Sequence, residues 1–317
     1  MSSDEGLGES RARQPVVFDM ETSDPDDVLA LALIADHPAF ELVALTVNPG
    51  TDAQLGVVTE VLRRVGVGPI PMGSRTPGAT REAVSPFHFA WLGHVPPVRA
   101  EAVSSEVLAE AFRRFPRAVL LTGAPLHNLR LALKAHPEMR IERWVAQGGF
   151  AGDNLVPPAH QLPKFVGREL CESHNFGGDS KGTLLALGAP QIGVRQLVSK
   201  NVTHALAWDG AFHALMAPHR TARAGLAVAY DAMSRYQEAH PEGKLLHDPL
   251  AAAAVIEPGI FTWSEVEVIH ARGQWGARAA SGTATFMTTS VDTARVLGVL
   301  IGGAQRPPMR QPPPRTE

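Results

Sequence analysis

The 317-residue chain is 44% apolar with a formal net charge of −3, so it can bury one large core and presents no basic field for nucleic acid. Its single cysteine, Cys171, excludes an internal disulfide and a Cys-x-x-Cys metal or redox centre, a usage that suits the cytoplasm. It has no run of about 18 apolar residues to span a bilayer, and its polar opening lacks the basic start and apolar middle of a secretory leader.

Residues 1–14 are polar, and 305–317 carry the run PPMRQPPP; both lack the apolar content to offset ordering entropy and are expected to be disordered tails. Residues 15–304 show no fixed-period repeat and no linker, which predicts one domain. Pro15-Val16-Val17-Phe18 predicts a buried strand that ends in the polar cluster DMETSDPDD. A helix follows over VLALALIADH, with Asp24 as N-cap, Pro25 at the first helical position and Asp26 and Asp27 in the dipole-favoured first turn.

Phe40 to Val47 predicts a second strand, QLGVVTEVLRRVG an amphipathic helix, and Pro69 to Met72 a brief third strand. Val103 to Phe115 reads as a helix, Ala118 to Thr122 as a strand, LHNLRLALKAHP as a helix and RWVAQGG as a strand end. This alternation predicts an α/β domain, a mostly parallel twisted sheet flanked by helices. Ligand sites in such sheets lie at the carboxyl ends of the strands. The polar clusters after Phe18, Val47, Leu121 and Val145 all fall on that edge.

Asp19, Glu21, Asp24, Asp26 and Asp27 place five carboxylates within nine residues. A helix N-terminus accounts for one or two acids. Five behind one buried strand repel each other, which raises their pKa values. A hard cation resolves the repulsion: Ca²⁺ accepts many oxygen ligands in irregular geometry, and Mg²⁺ is its rival. DMET also resembles the Asp-x-Asp-x-Thr opening of haloacid dehalogenase-like phosphatases, with Asp19 as nucleophile, Mg²⁺ as cofactor and GGDSKG at 177–182 as a later acidic motif. In that reading the adjacent pair Asp26-Asp27 has no role.

Further segments follow in order: Asn48 after Thr46-Val47, then LTGAPLHNLRLAL, AQGGFAGDN, CESHNF and LLHDPLAAAAVIEP, and finally EVEVIHARGQWGAR with SVDTARVLGVLIGG. With the acidic loop, these make the chain resemble the inosine–uridine-type nucleoside hydrolases from about Val16 to Gly303. That family's loop, DTDPGxDD, is one residue shorter, so its second acid, a metal ligand, falls on Glu21 or on Asp24. The resemblance implies Asp27 and Asp248 as metal ligands and Asp26 as the base that activates water. His127 stands where the family has a threonine whose backbone carbonyl binds the metal. Asp19, Asn48, Gln147, Asn154, Glu172 and Asn175 are expected at the ribose, with Glu172 one residue further from Asn175 than the family's spacing. His247 is expected to act as acid toward the leaving base. His88 and Trp91 lie in SPFHFAWLG, where the family has a mobile active-site loop; Tyr230 and Tyr236 are further aromatic candidates for stacking on the base. Ca²⁺ as cofactor, a small ribonucleoside as partner and a homodimer or homotetramer complete what the resemblance implies.

Hydrolysis of an N-glycosidic bond calls for a water, stabilisation of an oxocarbenium-like ribosyl cation and assistance to the departing base. A chelated divalent ion that holds the 2′ and 3′ hydroxyls meets the first two needs. Two other readings stay open at this point: the Mg²⁺ phosphatase, and a nucleoside-binding protein on the same fold whose altered loop has lost turnover.

Overall fold

The computed structural model describes residues 13–79 and 83–302. The expected tails therefore lie outside the described residues, apart from Arg13 and Gln14; Gln14 opens the first strand, its backbone N–H bonded to the Ala39 carbonyl at 2.8 Å.

The strands are β1 (Gln14–Met20), β2 (Phe40–Val47), β3 (Met72–Ser74), β4 (Ala102–Val103), β5 (Val119–Thr122), β6 (Ile141–Gln147), β7 (Leu170–Cys171), β8 (Ile192–Val198), β9 (Ala207–Trp208), β10 (Lys244–Leu245), β11 (Phe261–Ala271), β12 (Gln274–Ala279) and β13 (Thr285–Val291). Eleven of them form one sheet in the order β4-β3-β2-β1-β5-β6-β8-β13-β11-β12-β7, while β9 and β10 pair separately. From β4 to β13 neighbours run parallel; β11, β12 and β7 add an antiparallel flank. The fold is thus the α/β, mostly parallel sheet expected, as one domain.

β1 is central, and Val16 to Met20 are buried on both faces, which is why it reads as a continuous apolar run rather than an alternating one. The helix Pro25–Ala35 is buried from Pro25 to Ile34, and the helix His247–Ile256 is buried from Asp248 onward. A helix without a polar face belongs between other layers. These two pack on each other, so their N-termini meet beside the ends of β1 and β5. By contrast, Asp52–Val65 is amphipathic, closed at its start by reciprocal bonds between Thr51 and Gln54 and ended by Gly66 at φ 80°.

Two details differ from the sequence reading. The third strand is Met72–Ser74 instead of Pro69 to Met72, because Pro69 and Pro71 have no N–H to give to a ladder; the Pro71 carbonyl accepts from the Leu45 N–H instead. Asp24 has N-cap backbone geometry, but its carboxylate makes no cap bond and pairs with Lys244. None of the helices among the described residues is long and apolar enough to cross a membrane.

His37 follows the first helix and is buried, with Nδ1 accepting from the Ala39 N–H at 3.1 Å and Nε2 3.0 Å from the Val299 carbonyl. Burial, then the Arg223 charge, lower its pKa from 6.5 to about 4. Between those values the unfolded chain binds a proton that the native ring refuses, so stability drops as pH falls from 6.5 toward 4, by up to about 3 kcal/mol. The stability advantage of wild type over His37→Asn in urea titrations is expected to shrink from pH 7.5 to pH 4.5. A difference that stays constant with pH refutes this.

Candidate active site

The floor of the site is built where the two buried helices begin. Asp26, Asp27 and Asp248 each offer a carboxylate oxygen within 4.8 Å of the others, and all three are buried. Gly123, just after β5, permits the approach: a Cβ there would lie 2.7 Å from Asp248 Oδ1 and 3.0 Å from Asp27 Oδ1. The Glu21 N–H donates to Asp27 Oδ1 at 2.9 Å and the Asp248 N–H to Asp26 Oδ2 at 3.4 Å, while buried Asp248 Oδ1 has no hydrogen-bond partner.

These carboxylates are held at a cost. Burial raises the Asp26 pKa to about 7, against the pull of Lys244. Burial, then the charges of Asp248 and Glu21, raise Asp27; burial and Asp26 do the same to Asp248. Crowded carboxylates with an orphaned oxygen and an all-oxygen donor set fit a hard divalent cation.

Above the floor is a cavity of about 520 Å³, large enough for a nucleoside-sized molecule. Asn175 closes one side: its Nδ2 donates to the Gly123 carbonyl at 2.8 Å and to Gln147 Oε1 at 2.7 Å, leaving Oδ1 buried without a partner. His247 lines another side, with Nδ1 3.0 Å from Thr203 Oγ1 and its ring edge-on to His204. Burial, then Lys244, lower the His247 pKa to about 4, so the ring is neutral at pH 7.

Of the residues expected from the sequence, Glu21, Asp24, Asp26, Asp27, Gln147, Asn175, His247 and Asp248 line this cavity. The others do not. Asp19 is fully buried beneath it, its Oδ1 accepting from Thr46 Oγ1 on the neighbouring strand at 2.6 Å and from Asn128 Nδ2 on the helix after β5 at 2.7 Å. Asn48 is buried and off the cavity lining, its backbone carbonyl accepting from Gln54 Nε2 at 3.1 Å and its side-chain Oδ1 without a partner among the described residues. Asn154 is spent on the Ala277 carbonyl at 2.9 Å, and Trp91 donates to Asp231 at 2.8 Å. His88 is enclosed beside Thr22 and Asp24, its pKa lowered to about 4 by burial. The His127 ring lies off the cavity at the start of its helix, and Glu172 is exposed, with Ser173 in the wall instead.

Sequence reasoning missed Ser23, Gly123, Ser173, His174, Lys200 and His204 in the lining, and Lys244 beside it. Gly123 follows β5, and Lys200 and His204 follow β8, so the strand-end rule alone marks them as candidates. His174 lies 3.1 Å from Glu21 Oε1; that bond raises its pKa. Lys244 pairs with Asp24 and sits 3.7 Å from Asp26; burial works against its charge, yet the two carboxylates hold its pKa above the ordinary value.

Fold and site together define an α/β enzyme with an acidic pocket at the carboxyl ends of its strands. The sequence profile of inosine-uridine preferring nucleoside hydrolases matches residues 16–298, and the chain belongs to that family, as a hydrolase acting on N-glycosyl compounds. It is 25% identical over 272 residues to a protein of Aquifex aeolicus (strain VF5), covering 83% of this chain and 90% of that one. It is also 25% identical over 278 residues to a pyrimidine-specific ribonucleoside hydrolase RihA of Salmonella paratyphi A, covering 79% and 82% of the two chains. A RihA of Shewanella sp. (strain ANA-3) is 28% identical over 177 residues, 50% of this chain and 54% of that protein. Among solved structures, an inosine-uridine preferring nucleoside hydrolase from Bacillus anthracis superposes with a TM-score of 0.69 at 17% identity, covering 92% of this chain and 99% of that one. The family match does not favour the phosphatase reading, and enclosed Asp19 has no opening to the cavity from which to attack a phosphoryl group.

Proposed function

We propose that the protein releases free base from ribonucleosides, with Ca²⁺ as the ion at its acidic floor. The observation that carries this reading is the convergence of Asp26, Asp27 and Asp248 within 4.8 Å at the floor of a nucleoside-sized cavity. Asp27 and Asp248 would hold the ion with Glu21 or Asp24; when bound it supplies Lewis-acid polarisation of its oxygen ligands.

The chain's own groups do the rest. Asp26, in the same carboxylate cluster and 3.7 Å from Lys244 Nζ, is the group left to take a proton from water. The Asn175 amide, fixed by Gln147 and the Gly123 carbonyl, presents Oδ1 to a sugar hydroxyl. His247, neutral and held by Thr203, acts as a hydrogen-bond donor to the leaving base and not as an imidazolium. Buried oxygens that need a diol reject a sugar that lacks one.

The test is base release from inosine, uridine, cytidine and adenosine with Ca²⁺ and after chelation. Release that needs the metal, and is slower by roughly 10³-fold or more for 2′-deoxynucleosides, is the expected result. Equal turnover of ribo- and deoxyribonucleosides refutes the diol reading. Undiminished release after chelation refutes the ion.

A further inference from the structure

We propose that the substrate is a ribonucleoside 5′-monophosphate, its phosphate received by Lys200 and Lys164 at the rim of the cavity; this rests on the N-glycosidase reading above. After β8 the chain enters the short helix Lys200–Thr203, anchored by the Lys200 N–H on the Gly149 carbonyl at 3.0 Å. Lys200 and His204 line the cavity, and Lys164 reaches His204 Nδ1 from outside.

Lys244 is neutralised by Asp24, but among the described residues neither Lys200 nor Lys164 has a carboxylate within 4.0 Å. Among the described residues Lys200 Nζ donates only to the Glu172 carbonyl, at 3.0 Å. The two ammonium groups act on one another and on the rings beside them. Burial and then the Lys200 charge lower the Lys164 pKa, and burial, His247 and the two lysines lower His204 to about 3. Like charges gathered at one rim without a counter-ion are complementary to an anion.

The wall beside them agrees. The acid expected at the ribose, Glu172, faces solvent, and Ser173 fills its place, with its Oγ accepting from the Gly149 N–H at 3.1 Å. A hydroxyl tolerates a phosphate where a carboxylate repels it. With the 2′ and 3′ hydroxyls committed to the acidic floor, O5′ is the ribose oxygen left to carry the phosphate.

The reaction balances as hydrolysis. Water's oxygen bonds to C1′, and the C1′–N bond breaks with its electron pair on the base nitrogen. One water proton stays on the new hydroxyl and the other ends on the base. The products are ribose 5-phosphate and free base.

The experiment compares base release from inosine and uridine with release from their 5′-monophosphates by the Ca²⁺-loaded full chain. In parallel, the melting temperature of the chelated protein is read with ribose 5-phosphate, ribose or inorganic phosphate. The expected result is a kcat/KM at least about tenfold higher for the monophosphates. That ratio should fall at least about tenfold in both Lys200→Ala and Lys164→Ala. Ribose 5-phosphate should raise the wild-type melting temperature where ribose does not, and the shift should vanish in Lys200→Ala.

Equal or better turnover of nucleosides, or a ratio unchanged in both variants, overturns the proposal. So does a full shift by inorganic phosphate without any preference in turnover. If no substrate releases base while the ribose 5-phosphate shift persists and depends on Lys200, the phosphate site stands and the N-glycosidase reading falls.

Discussion

Asp27→Asn is expected to lower base release by roughly 10³-fold or more, the several kcal/mol that a Lewis-acid site supplies, while making the metal-free protein more stable than wild type. Both halves follow from one geometry. Asp27 is buried, accepts the Glu21 N–H at 2.9 Å and faces the charges of Asp248 and Glu21. Asparagine keeps an acceptor for that N–H and the same shape but removes the buried charge, so the repulsion disappears together with the ligand. At pH 8 in chelator the variant should melt higher, by roughly 2–4 °C for each kcal/mol of repulsion relieved. Added Ca²⁺ should then raise wild type and leave the variant nearly unmoved. A variant that retains activity, or that melts below wild type without metal, would remove Asp27 from the role assigned to it.

The second large effect is in pH. The Asp19 and Asp26 pKa values stand at about 7 in the native protein against 3.8 ordinarily, in each case through burial first. A raised carboxylate pKa means the native state binds protons that the unfolded chain releases. Stability from these groups is fully present below the unfolded value and is lost as pH rises through 7. Each contributes up to about 4 kcal/mol over that window. Metal-free protein is therefore expected to lose stability from these groups as pH rises from about 4 to 7.5, with little further loss from them above that. A cation at Asp26, Asp27 and Asp248 competes with the protons, so the melting-temperature gap between Ca²⁺-loaded and chelated protein should widen as pH rises. Thermal scans at half-unit pH steps measure it. The histidines with lowered pKa values act in both samples and cancel in the gap. A gap that fails to widen, or shrinks, between pH 5.5 and 7.5 would contradict cation binding at these carboxylates.

The contrast between Asp19 and Asp27 shows how much of the site can be read in one dimension. Both belong to the same run of acids in the sequence, Asp19 near the end of β1 and Asp27 in the first turn of the helix that follows. The strand period places Asp19 opposite Thr46 on β2 and Thr122 on β5, and the Asn128 amide joins Thr46 in binding it, so it supports the floor from below. Asp27, one helical turn into the next element, points into the cavity. Spacing counts both alike; only the ladder register and the helix phase separate them.

The sequence by itself determined the α/β class, the central apolar strand and the acidic cluster that follows it. These are local signals: apolar runs, the 3.6-residue period, Pro25 at a helix start, carboxylates too dense for a structural role. Only the tertiary structure decided which of those side chains meet. Two helices far apart in sequence, both without a polar face, must bury against each other, and that packing brings Asp248 to Asp26 and Asp27. The same long-range packing sets Lys200, His204 and Ser173 in the wall and leaves Glu172 outside it. A lone lysine or serine has no periodicity and no characteristic spacing, so its role becomes legible only when the fold supplies its neighbours.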